Sequence, residues 1–383
     1  MIKIPKNQEY VLETLKNSGY EAYIVGGCVR DSLLGKIPQD YDVTTSATPD
    51  VVESLFPKTV PTGIAHGTVT VIVEKEPIEV TTFRSESGYS DSRHPDFTHF
   101  ETDIRYDLSR RDFTVNSMAY NKEVGLIDLY GGETDLKNRI LRAVGEPEKR
   151  FKEDALRILR LFRFASQLGF CIESDTLNAA IELKKGLEKI SRERIFTELY
   201  KTVSGENPSA LMPLIKAKGL EFLKVTNKVD FEKIKSCRSN FDLSFFAFGY
   251  SGTDNIKDFL SELKVSNKFK KYCETLEKLL KMPVPKSRAD IKEMLNASTL
   301  EIFCDYSVFV GESNLSDEAL DIIKKKEPYR VCDLEINGKA IKRMGVTGEK
   351  IGQTLEMLRS FVILNPEKNN QKDLTDYLLS DIL

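Results

Sequence analysis

The chain has 383 residues, of which 40% are hydrophobic and 30% charged, and its formal net charge is −3 at pH 7. This length predicts two or more domains, and the sequence contains neither the roughly 18 consecutive apolar residues of a membrane span nor a basic start followed by an apolar stretch. Six widely spaced cysteines and three histidines argue against a disulfide framework and a zinc site. We therefore expect a cytoplasmic protein without a membrane partner.

Four features succeed one another in the first 43 residues: an apolar strand, a glycine pair, a helix-like stretch and a second strand that carries two aspartates. Because side chains alternate along a strand, Asp40 and Asp42 are predicted to project to one side. Two such carboxylates suit Mg²⁺, which prefers oxygen ligands and leaves room for substrate phosphates. Gly26 and Gly27 permit close approach of a polyphosphate to the backbone. An isolated Asp-X-Asp is also common in solvated turns, but the order of the four features favours a nucleotidyl-transfer site.

The remainder of the first 125 residues has the pattern of an α/β domain. Alternating apolar and polar residues predict strands over 67–74 and 77–83. The polar segment 84–100 contains Gly and Pro without apolar periodicity, which is typical of a long mobile loop. Turn-forming residues at 128–136 are expected to join this domain to the helical remainder of the chain.

From about Lys149 onward the pattern becomes helical, beginning with 154–165 and continuing with 177–185 and 192–202. Within this part we expect Leu156, Leu159 and Phe162 to form the packing face of the first helix.

Asp154 and Arg157 are placed three residues apart at the start of the first strongly helical segment, where this spacing brings side chains together on one face. A carboxylate accepts hydrogen bonds and a guanidinium donates them, so the pair matches the amine and ring nitrogen of cytosine and adenine. Uracil and guanine reverse that pattern, at a cost of about 1–3 kcal/mol for each unpaired group. The alternative is an ordinary surface salt bridge worth roughly 0.2–0.5 kcal/mol. Arg160 and Arg163 continue the series and could extend a basic path toward a triphosphate.

Five motifs in this order resemble those of the bacterial class II CCA-adding enzymes, which belong to the tRNA nucleotidyltransferase and poly(A) polymerase family. The similarity covers nearly the whole chain and includes its end, where Ala340-Ile341 departs from the usual Asp-Leu. The five motifs are Gly26-Gly27-Cys-Val-Arg30-Asp31 with Asp40-Tyr-Asp42, Arg110-Arg111-Asp112-Phe-Thr-Val-Asn116, Asp128-Leu-Tyr-Gly-Gly-Glu-Thr-Asp135, Glu153-Asp154-Ala-Leu-Arg157 and Ser191-Arg-Glu193-Arg194-Ile-Phe-Thr-Glu198.

The resemblance implies an α+β fold in which a polymerase-β-like nucleotidyltransferase head with a mixed β-sheet precedes an all-α neck, body and tail. The implied domains are a head over 1–140, a neck with the base-reading residues over 141–203, a body over 204–265 and a tRNA-binding tail over 266–383. Composition and spacing do not determine the oligomeric state.

The resemblance also assigns roles to individual residues. Asp40 and Asp42 would be the catalytic carboxylates that hold Mg²⁺, and Glu79 is either a third acidic group or a structural residue. The motif containing Glu193, Arg194 and Glu198 would brace the neck helices. The implied nucleotide-binding residues are Gly27, Arg30 and Arg111 at the phosphates, Asp112 at the ribose, Asp154 and Arg157 at the base, and Arg160 and Arg163 in support.

The implied activity is addition of the 3′-terminal CCA to the acceptor arm of tRNA from CTP and ATP, without a nucleic-acid template. The switch from C to A would depend on the growing primer and on the segment 84–100. Three alternatives remain: a partial enzyme that adds only A or only C-C, a bacterial poly(A) polymerase, and a non-catalytic RNA-binding protein. The segment Gly63-Ile-Ala-His-Gly-Thr-Val69 favours the nucleotidyltransferase over the polymerase, because the polymerases tend to carry a basic, aromatic-containing run there.

Overall fold

A computed structural model describes residues 2–88 and 97–381. Their contacts divide the chain into two compact units, one containing the chain up to Phe231 and the other containing most of the residues from Glu232 onward. Short pieces at 252–254 and 262–264 belong to the first unit. The four-part division into head, neck, body and tail stays a prediction.

Strands are concentrated in the head, where seven of those described form one mixed sheet. The order across this sheet is β3-β4-β5-β2-β1-β8-β9, and only the β2–β5 pair within it is parallel. Two further pairs, β6–β7 and β10–β11, lie outside it. The strands are β1 Ala22–Val25, β2 Asp42–Thr45, β3 Thr59–Gly63, β4 Thr68–Val73, β5 Glu76–Thr82, β6 Arg84–Ser87, β7 Phe97–Phe100, β8 Met118–Asn121, β9 Gly125–Asp128, β10 Ile140–Leu141 and β11 Cys171–Ile172.

Helices flank the sheet and make up most of the chain after β10. The head and the helical part of the first unit contain α1 Lys6–Asn17, α2 Gly27–Leu33, α3 Pro49–Leu55, α4 Ile104–Ser109, α5 Gly132–Asn138, α6 Pro147–Glu153, α7 Leu156–Leu168, α8 Ser174–Glu182, α9 Arg192–Val203 and α10 Met212–Lys216. They are followed by α11 Phe231–Ser236, α12 Phe241–Gly252, α13 Ile256–Glu262, α14 Asn267–Leu280, α15 Arg288–Asn296, α16 Leu300–Val310, α17 Asn314–Lys324, α18 Gly338–Arg343, α19 Lys350–Leu364 and α20 Gln371–Asp381. The predicted mixed sheet followed by mostly helical structure is confirmed.

The register of the central strands positions the acidic residues. Val43 of β2 pairs with Val80 of β5, and both side chains are buried in the head core. Because side chains alternate, the residues just before these valines, Asp42 and Glu79, share the opposite face and lie side by side. Asp40 precedes β2, so the prediction that both aspartates are strand residues is wrong for Asp40.

The helix α7 has the predicted packing face, since Leu156, Leu159 and Phe162 are all buried. It contacts α9, whose buried residues include Ile195 and Leu199. Both helices show apolar positions at three- and four-residue intervals, the pattern of a helix that buries one side.

Two expectations about local structure are wrong. Asp154 lies in extended conformation between α6 and α7 rather than within a helix, so the argument that Asp154 and Arg157 share one helix face does not hold. The ends of the expected loop at 84–100 form the antiparallel strands β6 and β7, paired from Arg84 with Phe100 to Ser87 with Phe97. The middle of that segment, 89–96, lies outside the described residues.

The regular secondary structure described in the second unit is helical. Buried aromatic residues fill part of its interior, with Phe245 of α12 stacked on Phe259 of α13 at 5.8 Å between ring centroids. A separate apolar cluster joins α18, α19 and α20 through Ile341, Leu358 and Leu374. Among residues 2–88 and 97–381, no helix combines the length and apolar character needed to cross a bilayer.

Candidate functional site

The glycine pair forms the turn between β1 and α2, as predicted. Gly26 has a positive φ of 78°, which L side chains rarely adopt. A Cβ atom there would lie 2.9 Å from Nη1 of Arg111, so the glycine also allows that guanidinium to approach the turn. Arg111 is oriented by the buried Asp107, whose Oδ2 accepts a hydrogen bond from Nη2 at 3.0 Å. This arrangement brings the first two motifs together.

Arg30, in α2, connects the glycine turn to the second motif. Its Nε and Nη2 donate to the two carboxylate oxygens of Asp31 at 2.8 and 3.0 Å. Its Nη1 donates to Oδ1 of Asn116 at 2.5 Å, and both partners are buried. The guanidinium is therefore fixed from two sides rather than free in solvent.

Asp112 is a buried carboxylate that accepts several hydrogen bonds. Arg160 donates to its Oδ2 through Nε at 2.8 Å and Nη2 at 2.5 Å, and the Asn116 amide donates to Oδ1 at 3.3 Å. Burial opposes ionisation of this carboxyl, but the charge and hydrogen bonds of Arg160 outweigh burial and lower its pKa to about 2. Asp112 is therefore an ionised anchor for Arg160.

The carboxylates of Asp40 and Asp42 lie at the exposed start of β2, and neither has a hydrogen bond or ion pair with a side chain of the described residues. Desolvation raises the pKa of Asp42, and the negative charges of Glu79 and Asp40 raise it further. The positive charge of Arg111 opposes this shift.

This donor set fits a divalent cation. A concentration of negative charge on oxygen atoms that lack partners among the described side chains is what a hard cation requires. Within residues 2–88 and 97–381, no three His, Cys, Asp or Glu side chains come close enough to hold a metal ion together. Glu79 adds negative charge beside Asp42.

Asp154 and Arg157 are each held by other residues. Asp154 accepts from the backbone N–H of Leu156 at 3.0 Å and from Nη2 of Arg194 at 3.0 Å. Arg157 donates to Glu153 at 2.8 Å and to the backbone carbonyl of Arg110 at 2.9 Å. The ordinary alternative, a salt bridge between Asp154 and Arg157 themselves, is not formed.

Arg160 and Arg163 lie on α7 and point to different acidic partners. Arg163 donates to Glu198 of α9 at 3.1 Å, and both side chains are buried. Arg160 remains about one-third exposed beside Asp112. The negative charges of Asp112, Glu198 and Asp154 raise the pKa of Arg160, and they outweigh the lowering effect of its partial burial.

The structure thus brings together most of the predicted site residues, although by contacts that sequence reasoning missed. Asp107 orients Arg111, Asn116 links Arg30 to Asp112, and Arg194 holds Asp154. The four-residue spacing of Asp107 and Arg111 was a visible signal on a helical segment. The contact of Asn116 with Arg30 joins residues 86 positions apart, and that of Arg194 with Asp154 joins residues 40 positions apart. Neither contact had a local signal in the sequence. The Arg194 and Glu198 contacts agree with the expected bracing role.

Comparisons with known proteins agree with this architecture. The family model described as "Poly A polymerase head domain" matches residues 22–142, and "Probable RNA and SrmB- binding site of polymerase A" matches residues 169–223. A CCA-adding enzyme of Lactobacillus helveticus is 35% identical, with 99% of each chain covered. One from Lactococcus lactis subsp. cremoris is 39% identical over 94% of this chain and 92% of its own length.

A solved structure gives the same result for the fold. The CCA-adding enzyme of Bacillus stearothermophilus, in complex with CTP, superposes with a TM-score of 0.82 at 30% identity. The match covers 98% of this chain and 96% of that one. With its mixed-sheet head, its five motifs and relatives similar over nearly their whole length, the chain belongs to the family of CCA-adding enzymes.

Proposed function

We propose that this protein adds the terminal C-C-A to the 3′ end of tRNA, using CTP and ATP and releasing pyrophosphate. The observation that carries the proposal is the close approach of Arg111 to the glycine turn, where a Cβ atom at Gly26 would lie 2.9 Å from its Nη1. The turn and this guanidinium form a polyphosphate-binding element, and Asp42 and Glu79 on neighbouring strands provide negative charge for a cation in the same domain. Similarity to CCA-adding enzymes over 99% of the chain supports the choice of substrates. We expect this activity in the cytoplasm.

The carboxylates of Asp40 and Asp42 hold Mg²⁺ in this proposal, as hard oxygen donors that are not engaged by the side chains described around them. When bound, the metal supplies a lower pKa for the attacking hydroxyl and neutralises charge on the departing pyrophosphate. Gly27, Arg30 and Arg111 bind the phosphates of the nucleotide, and Asp112 meets its ribose. Since several cationic donors are already oriented by Asp31, Asn116 and Asp107, little rearrangement is needed to bind a triphosphate.

Asp154 and Arg157 read the incoming base by accepting from its amine and donating to its ring nitrogen. Their contacts with Arg194 and Glu153 leave each group in a defined direction before a nucleotide arrives. Arg160 and Arg163 support the nucleotide from the next turns of α7. In this proposal the neck at 141–203 carries base selection, the body at 204–265 connects it to the tail, and the tail at 266–383 binds tRNA.

In the reaction, the tRNA 3′ oxygen attacks the α-phosphorus and forms a new phosphodiester bond while the bond to the bridging α–β oxygen breaks. The electron pair of that bond leaves with pyrophosphate, and the hydroxyl proton passes to solvent. Positioning and charge stabilisation are sufficient for such a transfer, and no covalent enzyme intermediate is needed.

The test is incubation of the purified protein and Mg²⁺ with tRNA transcripts that end before CCA, after C-C, or with generic RNA, and with each nucleotide separately and together. We expect three additions that stop at A. Asp40→Asn and Asp42→Asn should each lower the rate at least about 100-fold, whereas Asp50→Asn, an exposed acidic residue of α3, should leave it unchanged.

Other outcomes would identify the alternatives. Addition of A alone to the C-C-ended transcript, or of C-C alone, indicates a partial enzyme. Long tails on generic RNA indicate a poly(A) polymerase, and RNA binding without incorporation indicates a non-catalytic protein.

A further inference from the structure

One aromatic ring is shared by three of the arginines assigned above to the nucleotide. The guanidinium carbon of Arg163 lies 4.3 Å from the ring centroid of Phe164, that of Arg30 lies at 5.3 Å and that of Arg160 at 5.5 Å. All three distances are within the range of a cation–π interaction, about 6 Å. Two of these arginines precede Phe164 on α7, and the third belongs to α2 of the head.

Each of the three guanidinium groups pairs with a different carboxylate, so the ring of Phe164 is the contact that they share. Arg30 pairs with Asp31, Arg160 with Asp112 and Arg163 with Glu198. The ring itself is buried and is fixed by an edge-to-face contact with Phe113, at 5.8 Å between centroids and 80° between planes.

A chain of hydrogen bonds connects two of these arginines, and both of them contact the ring of Phe164. Arg30 donates to Asn116, whose amide donates to Asp112, which in turn accepts from Arg160. Both ends of this chain return to the face of Phe164. Replacing the ring would therefore remove a support that the hydrogen bonds alone do not provide.

Three cations in so small a volume repel one another. The charges of Arg160 and Arg30 both lower the pKa of Arg163, after the larger effect of its burial. The face of an aromatic ring carries negative charge density and offsets part of this repulsion without accepting a hydrogen bond. The ring itself therefore occupies none of the arginine N–H groups, and the buried Nε of Arg163 has no partner among the residues that the structure describes.

We propose that Phe164 is a positioning residue that holds Arg30, Arg160 and Arg163 as one nucleotide-binding array. It acts through the arginines and does not itself contact the substrate. The inference rests on the proposed function, because that function assigns the three arginines to the nucleotide. It predicts that loss of the ring weakens the binding of CTP and of ATP equally, since the array does not read the base.

The test compares Phe164→Leu and Phe164→Tyr with Phe162→Leu, a matched control on the same helix whose wild-type ring is fully buried. The full-length variants are assayed for CTP and ATP binding without RNA, for KM and kcat with tRNA, and for Tm. Leucine at 164 should weaken binding and raise KM for both nucleotides about tenfold, with kcat changed less than about threefold. Tyrosine keeps the ring face and should restore both values to within about twofold.

The control separates positioning from folding. Phe162→Leu should lower Tm at least as much as Phe164→Leu and leave nucleotide binding and KM unchanged. The inference is overturned if Phe164→Leu binds both nucleotides like the wild type, or if the tyrosine variant is as impaired as the leucine variant. Nucleotide binding by a wild-type protein that adds nothing to tRNA would refute the proposed function while still testing the role of Phe164.

Discussion

Asp112 shows how one residue contributes both to folding and to the proposed nucleotide site. Its carboxylate is buried, yet Arg160, Asn116 and the backbone N–H of Phe113 all donate to it. These contacts favour the ionised form so strongly that the pKa falls to about 2. The same contacts hold Arg160 in place, so the charge of Asp112 stabilises the head and the proposed nucleotide site together.

This low pKa predicts a pH-dependent contribution to stability. The pKa of this aspartate is about 3.8 in the unfolded protein and about 2 in the folded protein. Its ionised form therefore stabilises the folded protein above pH 4, and this stabilisation is lost as the pH falls toward 2. At pH 7 the free energy of unfolding of Asp112→Asn should be lower than that of the wild type by about 2 kcal/mol. Urea denaturation at pH 7, 5, 4 and 3 should show this difference shrinking below pH 4. A difference that is the same at all four values would contradict the prediction.

At the scale of helices, the ion pair between α7 and α9 is buried. Arg163 and Glu198 lie in the interface of these helices, and within the described part of the chain the second carboxylate oxygen of Glu198 has no hydrogen-bond partner. Burial is the largest influence on Arg163 and lowers its pKa, while the negative charge of Glu198 offsets part of that effect. Removal of Glu198 would leave that charge uncompensated.

Glu198→Ala should therefore lower the free energy of unfolding by about 3–5 kcal/mol, the usual cost of breaking one side of a buried pair. Glu193, on the same helix, is the matched control because it is 60% exposed and 3.8 Å from Lys264. Glu193→Ala should change stability by less than about 1 kcal/mol. Urea denaturation of both variants measures the contrast, and equal losses would show that the buried pair does not brace the helices.

The start of α5 depends on a glycine. A Cβ atom at Gly132 would lie 2.3 Å from the backbone oxygen of Thr114, a distance that real structures do not allow. Gly132→Ala should lower stability by about 1–3 kcal/mol, since the backbone must shift. At Gly352 in α19 the same position has no described atom within 4 Å, so Gly352→Ala should raise stability by about 0.5–1 kcal/mol. Thermal denaturation of the two variants measures these changes. A change of Tm in the same direction for both variants would contradict this explanation.

The elements were more predictable than the contacts between them. Alternation along 67–83 indicated β4 and β5, and the periodicity after 154 indicated α7, because burial of one face imposes a pattern on the sequence. The break at Asp154 was not predicted, since Ala155 and its neighbours are compatible with a helix and only the fold requires the turn. Paired strands at the ends of 84–100 were missed because their residues are mostly polar. The partners of Asp154 and Arg30 come from distant segments and have no local signature.

For the whole molecule, charge distribution matters more than net charge. The chain is slightly acidic overall, and one groove of about 570 Å³ in the first unit is lined by Lys184, Lys185 and Lys218 together with Glu188 and Glu221. This groove lies within the part that matches the RNA-binding family model. Lysines at such a groove can contact a phosphate backbone even when the total charge of the protein repels it.

The proposed activity should therefore depend on salt mainly through tRNA. Each phosphate contact contributes roughly 0.9 to the slope of log affinity against log salt for a duplex. We expect KM for tRNA to rise steeply between about 50 and 200 mM KCl, as measured at saturating nucleotide. Lys185→Ala should reduce the slope by about one, whereas Lys75→Ala in the β4–β5 turn should not. A KM for tRNA that is independent of salt would exclude phosphate contacts as a main source of affinity.

The separate support of Asp154 and Arg157 has an evolutionary consequence. In the proposed function, amino acids at the site of addition specify the three terminal nucleotides of tRNA, and no nucleic-acid template is copied. A lineage could not acquire a different ending by exchanging these two residues alone, because Arg194 and Glu153 would then face partners they no longer match. Matching changes at Arg194 and Glu153 would be required as well. The contacts around the two residues therefore make the ending harder to change than a pair of unsupported side chains would.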